Sequence, residues 1–318
     1  MLFPLSGIMI NYIIRRILQA VVAVFVLLTI LFIMLNVLPG DVALLSGDLR
    51  MAQDEEVIEN VREKWGLNDP LPVQYFRYMS NLLRGDLGTS YRTSQQVMNL
   101  MLPRVANTLK IVSVAFVFAV SSGILLGFVA ALNKGSIIDV SLMILAIIGI
   151  SMPRFWLGLM LMYLFAVILG VLPAAGAGGG SFLFMILPAA TLSIPMIALI
   201  ARTTRSSVLD VINEDYVRTA RAKGLRENTI NYRHVFRNSL LSIITIVGLQ
   251  LGTIIANTVV VEKVFSWPGI GNLVVNSIFK RDIPAIQGCI LFFALGFIII
   301  NLTVDIFYGL LDPRITYS

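Results

Sequence analysis

The chain has 318 residues, of which 57% are hydrophobic and only 13% are charged, and its mean hydropathy is +0.86. No soluble domain of this length can hide so much apolar side chain, so composition points to a polytopic membrane protein. A pI near 9.6 could suggest nucleic acid, but the basic residues are spread among apolar runs, which is the positive-inside bias of membrane proteins; no nucleic-acid partner is expected.

Arg15 and Arg16 precede an uncharged run from Ile17 to Leu38, long enough to cross a bilayer at ~1.5 Å per residue. A cleavable signal peptide would have a shorter core ending in small residues. This run ends in Pro39-Gly40-Asp41, so an uncleaved first span is expected. Residues 39–104 are polar and read as a small extramembrane lobe. Within it, Asp54 to Trp65 forms one amphipathic helix, with Ile58, Val61 and Trp65 on one face, and Pro72 to Leu83 a second, closed by Gly85. Ile111 to Leu132 is the second span, turned by Asn133-Lys134-Gly135. Val140 to Leu172 is interrupted by Met152-Pro153-Arg154, and Val140 to Met152 alone falls short of the ~20 residues a span needs. A single Pro-broken third span returns the Arg-rich segment after the fourth span to the side of Arg15 and Arg16.

The Ala/Gly stretch Ala174 to Gly180 has no preceding strand, so it reads as a turn and not as a phosphate-binding loop. Phe182 to Ala201 is the fourth span, with Pro188 and Pro195 expected to bend it. An excess of base over Asp210, Glu214, Asp215 and Glu227 places the next segment in the cytoplasm, together with both termini. Leu240 to Val261 is the fifth span. Glu262 to Asp282 is an outer loop in which Trp267 could anchor at the membrane interface. Ile283 to Leu311 is the sixth span, closed by Asp312-Pro313-Arg314. The expected division is 1–38, N-terminus and first span; 39–104, outer lobe; 105–311, core; and 312–318, tail.

The one long cytoplasmic stretch that cannot enter a bilayer is Asn213 to Gly224. Asn213 suits an N-cap, Glu214 and Asp215 the positive end of a helix dipole, Arg221 and Lys223 its last turn, and Gly224 a left-handed stop. Val208, Ile212, Tyr216 and Ala220 recur every fourth residue as an apolar stripe. A stripe ending in small Ala220 and Ala222 suits docking against another protein, and an ordinary solvated loop is the other reading of the same pattern. The single histidine, His234, excludes a multi-histidine metal site, so no metal is expected, and the single cysteine, Cys289, excludes an intramolecular disulfide. No G-x-x-x-x-G-K-[ST] loop occurs, so any nucleotide is bound by another chain.

Tyr216 to Leu225 resembles the coupling-loop signature of the permease subunits of ABC importers, in the variant of the dipeptide, oligopeptide, nickel and glutathione branch. Arg218-Thr219-Ala220 stands where the general E-A-A pattern would, ahead of Gly224, and His234 to Arg237 forms the tail. Gly85 to Ser90, Phe265 to Gly269 and Asp312 to Ile315 also match that branch, so the resemblance runs through the whole chain. It implies an all-α, six-span type I importer permease with the outer lobe between spans 1 and 2. It also implies a second, homologous permease, two cytoplasmic ATPase subunits carrying ATP and Mg, and an extracytoplasmic substrate-binding protein. This chain itself would carry no catalytic residue and no cofactor. Glu214, Asp215, Tyr216, Arg218, Thr219, Ala220, Lys223 and Gly224 would couple it to an ATPase.

The rival is an ion- or proton-coupled secondary transporter, which tends to carry mid-membrane acids and internal repeats. The one clear intramembrane acid, Asp305, lies about two turns from the inner end of its span, where pairing with a basic residue is the simpler role, and no repeat is evident. A membrane enzyme lacks any nucleophile, base or metal constellation. Gln250 and Asn257 could line a translocation path or hydrogen-bond between helices. Substrate identity is not written in these residues.

Overall fold

The computed structural model describes residues 6–37, 59, 62, 63 and 65–311, with side-chain environments at 14–36, at 59, 62 and 63, and from 65 to 305. The expected helix Asp54–Trp65 falls largely outside the described residues, as do Pro39-Gly40-Asp41 and the Asp312-Pro313-Arg314 motif. The long elements are all helical: α1 Ser6–Val37, α2 Leu71–Leu83, α3 Val97–Leu132, α4 Ile137–Ser151, α5 Arg154–Met162, α6 Leu183–Ile212, α7 Asp215–Ala222, α8 Arg237–Val264, α9 Ile270–Phe279 and α10 Ile283–Leu311. A π-helical turn, Tyr163–Ile168, extends α5, and a short turn, Glu227–Thr229, followed by a π-helical segment, Ile230–Phe236, leads into α8.

Among the described residues, α1, α3, α6, α8 with its lead-in, and α10 are each long and apolar enough to cross a membrane. The pair Ile137–Ser151 and Arg154–Ile168 makes a sixth span if its 110° bend is one broken crossing. The break falls where the sequence places it. Met152 and Pro153 both take extended dihedrals (ψ 127° and 134°), because a proline pushes the residue before it out of the helical region. The expected second and fourth spans prove longer: α3 begins at Val97, with Pro103 inside it, and α6 runs to Ile212. Pro188 and Pro195 both lie within α6.

The chain divides into two compact units. The first comprises residues 1–108 and 268–298, the second residues 109–267 and 299–318. In the first, Phe32 of α1 meets the rings of Tyr75 and Tyr78 on α2 at 5.3 and 6.0 Å. Gly85, with φ +77°, follows the end of α2 as expected. The hydroxyl of Ser90 donates to Asp282 Oδ2 at 2.5 Å, and the Tyr91 amide donates to Oδ1 at 3.0 Å. This ties two loops 192 residues apart. The amide of Ile270 donates to buried Thr108 Oγ1 at 2.9 Å, which caps α9.

In the second unit, α6 packs against α4, α5 and α8, and it is the most enclosed of the candidate spans. Gly123 and Gly127 let α3 approach it closely. A Cβ at 127 would lie 2.3 Å from the Ala201 carbonyl oxygen, and one at 123 would lie 2.8 Å from Ile200 Cβ. Small residues four apart are how membrane helices achieve backbone-level contact. Trp267 does not anchor at an interface. Its side chain is buried, and its amide donates to Glu262 O at 2.8 Å, so the turn after α8 folds the indole into the protein.

Candidate functional site

The expected helix forms, but its boundaries and faces differ from the sequence reading. Asn213 is the last residue of α6 in helical conformation, and its Nδ2 donates back to Leu209 O at 2.8 Å. The N-cap of α7 is Glu214, whose backbone is extended (ψ 149°) and whose carbonyl accepts from the Val217 and Arg218 amides. α6 continues about three turns past Ala201 to Ile212, so Asn213 ends one helix and does not begin the next. Asp215 stands in the first turn and Arg221 in the last, as the dipole favours. Gly224 takes φ +76°, which lets the Leu225 amide return to Ala220 O at 3.3 Å and closes the helix.

The extended Glu214 breaks the helical phase, so the four-residue stripe does not carry across. Val208 is buried and Ile212 is partly buried, but Tyr216 is 42% exposed. Ala220 points inward instead of offering an outer docking surface. With Val217, which the sequence reading passed over, it sits in a cluster with Phe128 and Ala131 of α3, Val208 of α6, and Ile230 and Val235 of the π-helical segment. The i,i+3 pair Val217/Ala220 within α7 was the available signal. Phe128 meets Phe236 edge-on at 5.2 Å and Tyr232 at 5.6 Å, which closes the cradle. An isolated eight-residue helix is far too short to be stable in water. Burial of Val217 and Ala220 and the capping at both ends hold α7 in place.

The rest of the predicted set faces outward. Glu214, Asp215, Tyr216, Arg218, Thr219, Lys223 and Gly224 are all exposed. The Tyr216 hydroxyl accepts from Asn238 Nδ2 at 3.0 Å, tying α7 to the start of α8. Arg221 Nε donates to Glu227 Oε1 at 2.9 Å, which fixes the exit of the loop. Arg218 lies 3.6 Å from Asp215, an open ion pair that contributes little. The outward face thus presents exposed charge on a helix anchored from within.

A second feature at the base of this unit had no sequence signal. Asp139, in the first turn of α4, is 3% exposed and takes a bidentate pair from Arg205 of α6, Nε to Oδ1 at 2.5 Å and Nη2 to Oδ2 at 2.8 Å. The Gly135 amide donates to the same carboxylate at 2.9 Å, and Ser136 caps α4 through the Asp139 amide. Arg205, one of the basic residues that follow the fourth span in sequence, is therefore an internal strut. Gln250 and Asn257, two turns apart on α8, are both half-buried, and Asn257 Nδ2 donates to Thr253 O of its own helix at 2.8 Å. They do not join the α7 cradle.

The protein family described as "Binding-protein-dependent transport system inner membrane component" matches residues 123–317, and its N-terminal companion matches residues 9–112. The Glutathione transport system permease protein GsiC of Pectobacterium atrosepticum is 42% identical over 310 residues, covering 98% of this chain and all of that one. Its namesake from Escherichia coli (strain K12) is 42% identical over 311 residues, with the same coverage. A crystal structure of an amino acid ABC transporter with histidines aligns with a TM-score of 0.53 at 16% identity, over 67% of this chain and 94% of that one, which supports the fold alone. Membership does not favour the ion-coupled alternative, and it assigns ATP hydrolysis to a separate subunit. The chain belongs to the binding-protein-dependent transport inner-membrane family and is a multi-pass permease component of an ABC importer.

Proposed function

We propose that this permease imports short peptides or peptide-like molecules such as glutathione, released to it by an extracytoplasmic binding protein. The names of the relatives, which are glutathione permeases, and the peptide-branch motifs support this substrate class. In this reading the chain pairs with a second, homologous permease, and two ATPase subunits that hold ATP and Mg dock on the cytoplasmic side. Both termini and α7 face the cytoplasm, and Gln250 and Asn257 line the path. The observation that carries the coupling role is the division of α7 into a buried face and a charged free face. A helix fixed from within can be pushed from outside without slipping, which is what transmission of ATPase closure requires.

The test is uptake in proteoliposomes containing the full complex. ATP-dependent import of dipeptide or glutathione should persist when an uncoupler collapses the proton gradient, and Lys223→Glu together with Arg218→Glu should abolish it without reducing permease assembly. Import driven by a proton gradient alone, or normal import by the charge-reversed variant, overturns the reading.

A further inference from the structure

The first unit contains a cavity of about 280 Å³, lined by the outer end of α1, by α2, by the loop after α2 and by the first turns of α10. Pockets for drug-sized ligands run ~300–1,000 Å³, so its occupant is small. Gln287, on α10, is 7% exposed and lines this cavity, and its side-chain amide has no hydrogen-bond partner among the described residues. Its amide atoms are not sealed from the cavity, so a group placed there can supply the donor and acceptor that they lack. Asn81, half-buried on α2, adds a second amide to the same lining, with no side-chain hydrogen bond among the described residues.

The remaining walls are aromatic and charged. Trp65 packs on Tyr91 at 4.7 Å, and Phe32 stacks on Tyr78. Burial, and secondarily Asp282, pushes the Tyr91 phenol up to about 12, and burial, then Tyr75, does the same to Tyr78. Both keep their O–H donors at ordinary pH. Arg77, held by Asp69, and Asp86, whose Oδ1 accepts from the Gly88 amide at 2.8 Å, bring a guanidinium and a carboxylate to the same lining.

We propose that this cavity binds a short zwitterionic peptide of about two residues. Its backbone N–H and C=O pair with the Gln287 and Asn81 amides, its side chains lie on the rings, and its charged ends meet Asp86 and Arg77. An amide needs both a donor and an acceptor opposite it, and a peptide group supplies both in one plane, which a lipid acyl chain or a simple anion does not. The site rests on the peptide reading above but requires neither ATP nor the other subunits to fill.

The full chain in phosphatidylcholine nanodiscs, titrated calorimetrically with alanyl-leucine, should bind saturably. Gln287→Leu should weaken binding at least tenfold with an unchanged melting temperature, and Asn81→Leu should do the same if the first variant fails to fold. End-blocked N-acetyl-alanyl-leucine amide should bind at least threefold more weakly. No saturable binding by the natural chain, or equal binding by the leucine variants, overturns the site. ATP-driven uptake by the full complex is measured alongside. Uptake without binding to the isolated chain removes the cavity site and leaves the importer reading standing, whereas binding without uptake does the reverse.

Discussion

Val217→Ala isolates the anchor of α7 from everything that faces outward. The residue is fully buried among Phe128, Ala131, Val208 and Ala220. The substitution removes two methyl groups, at ~0.8 kcal/mol each in transfer free energy, and the residual cavity raises the total to about 2–3 kcal/mol. Docking of α7 is a local equilibrium with few other supports, chiefly Ala220, the Tyr216–Asn238 hydrogen bond and the caps. At ~1.4 kcal/mol per factor of ten, the undocked fraction should rise about 30- to 150-fold. Hydrogen exchange by mass spectrometry on the nanodisc-embedded chain reads this directly. The 219–224 amides should exchange faster by that factor, while peptides from α3 and α6 stay protected. Arg218→Ala, on the exposed face, should change exchange less than threefold. Unchanged exchange in Val217→Ala, or an equal effect from Arg218→Ala, refutes the cradle as the support of α7.

Gly127→Leu should lower the melting temperature sharply, because its first carbon alone would lie 2.3 Å from the Ala201 oxygen, while Ser121→Ala on the exposed side of α3 should leave it unchanged. Asp139→Leu should cost about 2–3 kcal/mol, below the ~3–5 of a fully buried broken pair because the Arg205 side chain keeps 27% exposure. Adding Arg205→Met should restore at least half of that in thermal denaturation. With Cys289→Ser as background, a cysteine at 224 should react with an impermeant thiol reagent only after permeabilisation and one at 85 in intact cells, and the opposite pattern overturns the orientation.

The spans were readable because a bilayer demands uncharged runs of fixed length, and the sequence satisfies that demand locally. Pro153 and Gly224 were readable for the same reason, since each constrains the backbone at its own position. Periodicity shows that a stripe exists but not what covers it, and it assumes a continuous helix. The extended Glu214 broke that assumption, which is why Ala220 faces Phe128 and not a partner. Trp267 failed similarly, because its burial depends on where the turn after α8 leads. The Arg205–Asp139 pair spans 66 residues and the Ser90–Asp282 pair 192, so neither leaves a mark at short range.

The two-sided construction of α7 also bears on how importers diverge. Its inner face is committed to one chain's packing through two small side chains, Val217 and Ala220, whereas the residues turned to solvent share no packing with that core. Surface substitutions there are close to neutral for the fold. If these residues meet a motor subunit as proposed above, a duplicated gene can drift toward a new one by changing Arg218, Thr219 or Lys223 alone, one exposed position at a time. On that reading, exchange between old and new motor subunits ends when those few exposed residues no longer match, long before the membrane core has changed.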